Sequence, residues 1–345
     1  MTPKRTPSRP LLRLPLLLVT LAAAIVGTLS APRVDARQQW LRGQTVTRGS
    51  KPFTESVAQM RRRDLVRRTR FLGANLSPAP RANPRHPKPP PSPTTSDLSV
   101  QGLFLPNSAP TVQGLGSSFA GIGMQQQIKD LFGWSFPPDT MGAVGPNHFV
   151  QVINGSVAIF NKNTGNRLSH ISLDSFFTFT ANSVTYPRNG AFDPRVIYDP
   201  HSRRWFVCAL EFGAPTPSGF TAENQLLLAV SRTSDPTGSF DKYVLPIAEP
   251  TTGSTAGFTD YPTLGVDRNG LYVAVRIFPF NPVTGLSAPF SFAKLVATPL
   301  SPLVAGAPSL GPVTVLSDIL DMFSTPQPAT NLDAIDSSTP AWFFA

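Results

Sequence analysis

Three aspartates, Asp139, Asp193 and Asp260, recur at comparable places along the chain, 54 and 67 residues apart. Each precedes a tight turn by six or seven residues, and an aromatic strand follows the turn. Carboxylates gathered in one place suit acid and base work at a glycosidic bond, or the binding of a hard cation such as Ca²⁺. The structural alternative is that each caps a turn through its own side chain. We therefore take the three as candidate catalytic residues. The sequence indicates no certain cofactor, and Ca²⁺ is the cofactor that these residue types fit.

The second of these blocks also contains the candidate substrate-binding residues, Arg195, Arg204 and Trp205. A guanidinium group grips a carboxylate through two parallel hydrogen bonds, as recognition of an acidic sugar requires. Surface ion pairing is the alternative for the arginines. The sequence therefore predicts an anion clamp near Asp193.

The elements that must position these residues follow a repeating order of aspartate, turn and aromatic strand. The three blocks run from Asp139 to Val152, from Asp193 to Val207 and from Asp260 to Val275. A period of this size is typical of four-stranded blades in a β-propeller. The sequence predicts an all-β fold, an incomplete β-propeller of about three blades plus the start of a fourth, preceded by a disordered leader. If the blocks form innermost strands, the three carboxylates should converge near one mouth of a central channel.

Short β-rich segments separated by turn residues support this fold class. Asn154-Gly155 is a two-residue hairpin signal between two of them, and residues 125–132 are the one segment of the domain with a helical pattern. The predicted strands are His148 to Ile153, Ser156 to Asn161, Arg195 to Tyr198, Arg204 to Leu210, Gln225 to Ser231, Phe240 to Leu245, Leu271 to Phe278 and Phe290 to Ala297.

The carboxyl end, from Asn331 to Ala345, resembles the opening of a fourth block. Three blades and a fraction cannot close a propeller, so the last sheet would present an unpaired edge. The expectation is that the chain is a fragment of a longer product, or that its final strand pairs with something else.

The amino terminus has the pattern of a secretory signal. Four basic residues up to Arg13 precede an uncharged segment from Leu14 to Ala31, and Val34-Asp35-Ala36 resembles a cleavage site. Residues 1–36 are therefore predicted to be a signal peptide, with an uncleaved membrane anchor as the alternative because the apolar segment reaches spanning length. Either places the protein outside the cytoplasm, secreted or in the cell envelope.

The net charge of +10 is unevenly distributed. Residues 1–100 hold 18 Lys and Arg against 4 Asp and Glu, whereas residues 101–345 hold 12 against 16. A basic leader is predicted at 37–72, with a short helix as an option, then a proline-rich linker at 73–98, and a partial β-propeller at 99–345. Because the domain itself is mildly acidic, no nucleic-acid partner is expected.

Several of these segments resemble blocks of a group of large exported bacterial proteins, mostly of unassigned activity, whose repeat region is similar to the β-propellers of sialidases and related glycosidases. The resemblance covers roughly residues 130–280 and implies a propeller fold and an extracytoplasmic setting. The Asp-box of true sialidases is absent, and Tyr198 to Trp205 only distantly resembles it. The segments that carry the resemblance are Pro137 to Gln151, Asp193 to Asp199 with Arg204 and Trp205, Ala229 to Gly238, and Asp260 to Asp267.

Taken together, the sequence predicts an exported β-propeller-type protein that binds a glycan or a protein outside the cell. The first alternative is a glycoside hydrolase or lyase acting on acidic polysaccharide, with the three aspartates as its carboxylates. The second is a gene fragment without function of its own.

Overall fold

The computed structural model describes part of the chain. The described residues are 44–46, 52–72, 118–131, 133–219, 221–245, 247–248, 255–286, 292–307, 310–319, 326–333 and 338–344. The predicted signal peptide and the proline-rich linker lie outside these ranges. No helix among the described residues is both long enough and apolar enough to cross a membrane.

Strands dominate the described residues, with four helices among them. The helices are α1 (Val57–Leu72), α2 (Met124–Leu131), α3 (Leu173–Phe177) and α4 (Leu300–Ala305). The strands are β1 (Gln44–Val46), β2 (Phe53–Ser56), β3 (Met141–Val144), β4 (His148–Ile153), β5 (Ser156–Asn161), β6 (Arg167–Ser172), β7 (Phe179–Ala181), β8 (Val184–Tyr186), β9 (Ala191–Asp199), β10 (Arg204–Glu211), β11 (Ala214–Pro215), β12 (Thr221–Ala222), β13 (Leu226–Ser231), β14 (Ser239–Leu245), β15 (Ala256–Val266), β16 (Gly270–Phe280), β17 (Phe292–Pro299), β18 (Val313–Ile319), β19 (Gln327–Pro328) and β20 (Phe343–Phe344).

Three antiparallel sheets make up the body of the protein, and each contains four strands in chain order. The first sheet is β3-β4-β5-β6, the second contains β9-β10-β13-β14, and the third contains β15-β16-β17-β18. Strands β1 and β2 extend the third and the second sheet, and the other strands among the described residues form three two-stranded sheets, β7-β8, β11-β12 and β19-β20. The prediction of an all-β fold is therefore confirmed, and two predicted strands, β4 and β5, have the bounds read from the sequence.

The second sheet is the central layer because both of its faces are covered. Along β10, Trp205 and Val207 pack in the core that the second sheet shares with the first sheet, called the first core below. Phe206 and Cys208 pack in the core that the second sheet shares with the third. This alternation is the two-residue period of a strand whose two faces are both buried. The first strands of the three sheets, β3, β9 and β15, lie next to one another in that order.

The leader contributes to this body rather than preceding it. Strand β1 pairs with β18 at the edge of the third sheet, and β2 pairs with β14 at the edge of the second. Helix α1 then packs against β6 and α3, and its Val57 and Met60 are buried in the first core. The expectation of a disordered leader is thus corrected for Gln44–Val46 and Phe53–Leu72, because β18 and β14 pair with β1 and β2, and α1 buries Val57 and Met60 in the core.

Candidate functional site

Backbone geometry marks one position on, or just before, the first strand of each sheet. Asp139, Asp193 and Tyr261 have positive φ angles of 42°, 49° and 53°. This left-handed region is uncommon for residues other than glycine, and such residues cluster at functional sites. The register of β9 with β10 and of β15 with β16 also shifts at this point, and such bulges re-aim side chains.

The same geometry corrects the alignment of the three repeats. Counting six residues from Asp139, Asp193 and Tyr261 reaches the turn residues Gly145, Asp199 and Asp267. Tyr261, rather than its neighbour Asp260, is therefore the third equivalent of Asp139. The third repeat has one more residue between its aspartate and its turn. Asp260 therefore stands seven positions before Asp267, whereas Asp139 and Asp193 stand six positions before their turn residues.

All three predicted catalytic aspartates nevertheless line one pocket of about 560 Å³. Two exposed aromatic residues line the same pocket: Phe136 is 78 % exposed and Phe212 37 %. Among the residues that the structure describes, no lysine, arginine or histidine lines it. The lining residues are Ser135, Phe136, Pro137, Asp139, Asn154, Ala191, Phe192, Asp193, Phe212, Asp260 and Tyr261.

Asn154 connects two of the carboxylates. Its side-chain amide donates to Asp139 Oδ2 at 2.5 Å and approaches Asp193 Oδ1 at 3.5 Å, and its oxygen accepts from the Asp193 backbone N–H at 2.7 Å. The residue sits in the β4-β5 turn with Gly155, whose φ of 93° explains the glycine. Sequence reasoning found the turn but missed this role. The antiparallel register that pairs Met141 with Val152 puts the turn beside Asp139, and this pairing was not among the features predicted from the sequence.

The carboxylates perturb one another. Burial raises the pKa of Asp139 above its ordinary value, and the charge of Asp193 raises it further. Burial likewise raises the pKa of Asp193, with the Asp260 charge and a hydrogen bond to Asp260 acting in the same direction. Asp193 also shares a hydrogen bond with Asp139, so it is the central member of the three. A raised pKa favours retention of a proton within the cluster.

Arg195 lies beside the pocket, and its guanidinium is already engaged. Its Nε donates to the Pro262 carbonyl at 2.6 Å, and a terminal nitrogen contacts Met141 Sδ at 3.1 Å. The group also lies 5.2 Å from the centre of the Tyr261 ring. Arg195 thus links the first strands of all three sheets, and the geometry gives it a structural task in addition to the anion clamp that the sequence predicts.

The other two predicted substrate-binding residues lie away from the pocket. Trp205 is fully buried in the first core, and its indole N–H donates to the Ser234 carbonyl at 3.0 Å. Arg204 donates to the carbonyls of Ser202 and Arg203. The structure therefore brings the three aspartates together with Arg195 nearby, and does not bring Arg204 or Trp205 to them.

Two further aspartates of the repeats cap turns, which is the structural role considered as the alternative for Asp139, Asp193 and Asp260. Asp199 accepts from the backbone N–H groups of His201 and Ser202, and Asp267 accepts from those of Asn269 and Gly270. In the second and third repeats, turn capping therefore falls to this second position. Within the described ranges, no group of three or more His, Cys, Asp or Glu side chains is arranged to hold a metal ion.

Comparison with known proteins gives limited similarity: no protein-family model and no curated protein matches the chain. Two solved structures are similar over part of it. One is the GH43 protein BlXynB from Bacillus licheniformis, with a TM-score of 0.27, 13 % identity, and 47 % of this chain and 36 % of that chain covered. The other is a mutant of the same protein, with a TM-score of 0.25, 13 % identity and coverages of 48 % and 38 %. The chain thus spans under two fifths of these structures, and likeness this low assigns neither family nor activity.

Proposed function

We propose that the protein binds a saccharide in the pocket formed by Asp139, Asp193 and Asp260, on an incomplete β-propeller exposed outside the cytoplasm. In this proposal the three sheets are successive blades. Their antiparallel four-stranded order and the adjacency of β3, β9 and β15 support it. The export setting is carried by the amino-terminal sequence pattern alone.

The observation that carries the proposal is the combination of acceptors and aromatic rings in one pocket. Carboxylates and the Asn154 amide suit sugar hydroxyl groups, and Phe136, Phe212 and Tyr261 offer flat apolar surface for the C–H face of a sugar ring. The described part of the lining contains three carboxylates and no cationic side chain. This charge favours a neutral saccharide over the acidic polysaccharide considered from the sequence, because a uronate would meet like charge.

A second candidate is hydrolysis of a glycosidic bond. It is favoured by the raised pKa values of Asp139 and Asp193, because a glycosidase needs one protonated carboxyl group as acid beside an ionised one as base or nucleophile. Release of reducing ends from a bound oligosaccharide would establish this activity, and binding without release would leave the protein a lectin-like module.

The exposed aromatic residues that line the pocket provide the direct test. We expect Phe136→Ala and Phe212→Ala each to weaken saccharide binding about tenfold, equivalent to about 1.4 kcal/mol, because each removes an exposed stacking surface. Isothermal titration calorimetry against paired neutral and uronic-acid oligosaccharides measures this effect. Phe344→Ala is the matched control, since Phe344 is also an exposed aromatic, 64 % accessible, but does not line the pocket.

Equal loss of affinity in the Phe344→Ala control would mean that the pocket is not the binding site. Failure of every neutral oligosaccharide to bind the unmodified protein would refute the proposed function.

A further inference from the structure

Asp64 on α1 makes an unusual set of contacts for a leader residue. It is buried, 6 % exposed, and accepts three hydrogen bonds from the start of α3. Ser172 donates its backbone N–H at 2.8 Å and its hydroxyl at 2.6 Å, and the Ser175 hydroxyl donates at 2.8 Å. Because Ser172 is the N-cap of α3, Asp64 fixes the cap of that helix from 108 residues away in sequence.

The amino end of α3 in turn holds two segments that reach the pocket. The Leu173 backbone N–H donates to the Gly155 carbonyl at 2.9 Å, which anchors the β4-β5 turn. The Asp174 carboxylate accepts from the Ala191 backbone N–H at 2.8 Å, which anchors the first residue of β9. One short helix therefore fixes both neighbours of the carboxylate cluster.

Both anchored segments end on the carboxylates. The turn presents Asn154, which bonds Asp139 and the Asp193 backbone, and Asp193 stands two residues after Ala191 on β9. A separate anchor exists on the turn, since Gln127 of α2 donates to the Asn154 carbonyl at 2.8 Å. Besides its pairing with β10, the start of β9 is held by Asp174 and by the Asn154 oxygen, and α3 contributes to the position of both.

We propose that Asp64 is a positioning residue of the pocket: through α3 it sets the place of Ala191 and of the Asn154 turn, and hence the relative position of Asp139 and Asp193. The leader segment that contains Asp64 is then part of the binding site and not only a targeting segment. This inference rests on the proposed function only where it concerns ligand affinity.

Amide hydrogen exchange and NMR of the full chain test the proposal. In Asp64→Asn, we expect exchange of the Ala191 and Asp193 amides to quicken by about tenfold or more, because hydrogen bonds to a buried charged acceptor are lost upstream of them. The Asp193 amide and Asn154 side-chain amide resonances should shift, and neutral-saccharide affinity should fall.

Ser175→Ala removes one of the three bonds and should produce smaller changes in the same direction, so it decides the matter if Asp64→Asn does not fold. Asp267→Asn is the matched control. It also removes a buried carboxylate that accepts backbone bonds, but in a turn of the third sheet, and it should leave these resonances unchanged.

Exchange that quickens only in α1 and α3, with the Asp193 and Asn154 resonances unmoved, would overturn the proposal and leave Asp64 a purely structural residue. The amide signals need no ligand. A protein that binds no saccharide therefore refutes the proposed function without deciding the role of Asp64, and the amide signals decide that role by themselves.

Discussion

Replacing Asp193 by asparagine is expected to stabilise the protein at neutral pH while weakening ligand binding. Asp193 is the central carboxylate of the three, and burial and the Asp260 charge both raise its pKa. Two unit charges about 4 Å apart repel by about 1 kcal/mol even with water-like screening. Asparagine removes this repulsion, tolerates the left-handed backbone at φ 49° and keeps a side-chain oxygen.

The sign of the pH dependence follows from the raised pKa. The folded protein holds the Asp193 proton to higher pH than the unfolded chain does, so the group's stabilising contribution is complete below the unfolded pKa, about 3.9. It is lost as the pH rises through the folded pKa. The melting temperature of Asp193→Asn should therefore exceed that of the unmodified protein by roughly 2 °C at pH 7, and the difference should vanish near pH 3.

Thermal melts between pH 3 and pH 8 measure this difference, and calorimetry measures the loss of affinity, expected to be at least about tenfold because a charged acceptor is removed. Asp235→Asn is the matched control, since Asp235 is an exposed turn aspartate that bonds Thr237. A fall in stability of Asp193→Asn that is equal at all pH values would instead identify Asp193 as a turn-capping residue.

The Glu55→Ala substitution should have the largest effect on stability, at about 3–5 kcal/mol. Lys242 on β14 has a fully buried side chain whose ammonium donates to Glu55 Oε2 at 2.6 Å and to the Thr178 carbonyl at 3.2 Å. Arg63 of α1 also pairs with Glu55. Loss of Glu55 would leave two cations facing each other beside the second sheet, one of them without access to water.

Lys242 also determines how this cost varies with pH. Burial lowers the pKa of Lys242 to about 8, from an ordinary value of 10.5. The unfolded chain therefore binds more protons between those two pH values, and the contribution of Lys242 to stability rises with pH across that window. In Glu55→Ala the unpaired ammonium should lose its proton still more readily, so the cost of the substitution should shrink above neutral pH.

A double-mutant cycle separates this ion pair from general loss of packing. Lys242→Met with Glu55→Ala removes both members, and most of the stability should return because no buried charge remains unpaired. Urea unfolding supplies the free energies, and trypsin cleavage at the leader arginines should be faster in Glu55→Ala alone. A cost below about 1 kcal/mol, or no recovery in the double variant, would show that β2 is not held by this pair.

Local sequence determined the strands, their turns and the spacing of the carboxylates. Alternating and apolar segments predicted strands in each of the three sheets, since side-chain period and turn residues are properties of neighbouring positions, but β3, β6, β15 and β18 were not among the predicted strands. The 54-residue recurrence placed Asp139 and Asp193 in equivalent backbone settings, and residues 125–132 marked α2, which the structure bounds at Met124–Leu131.

Tertiary structure alone decided the fate of the leader and the alignment of the third repeat. Glu55 pairs with Lys242, which is 187 residues away in sequence. Strand β2 has only four residues, and so short a strand has no local pattern that predicts which sheet edge it joins. The bulge in β15 makes Tyr261, rather than Asp260, the equivalent of Asp139. This bulge arises from strand pairing, which single-residue propensities do not encode.

The burial of Trp205, which keeps it out of the pocket, is likewise a result of tertiary packing. Its position in the repeat is readable from sequence, but only the packing of the first sheet on the second covers its ring completely. The sequence thus specified which residues stand at the ends of strands, because that depends on neighbours along the chain. Which of them meet in a pocket depends on how the sheets stack, and that is set by contacts between residues far apart in sequence.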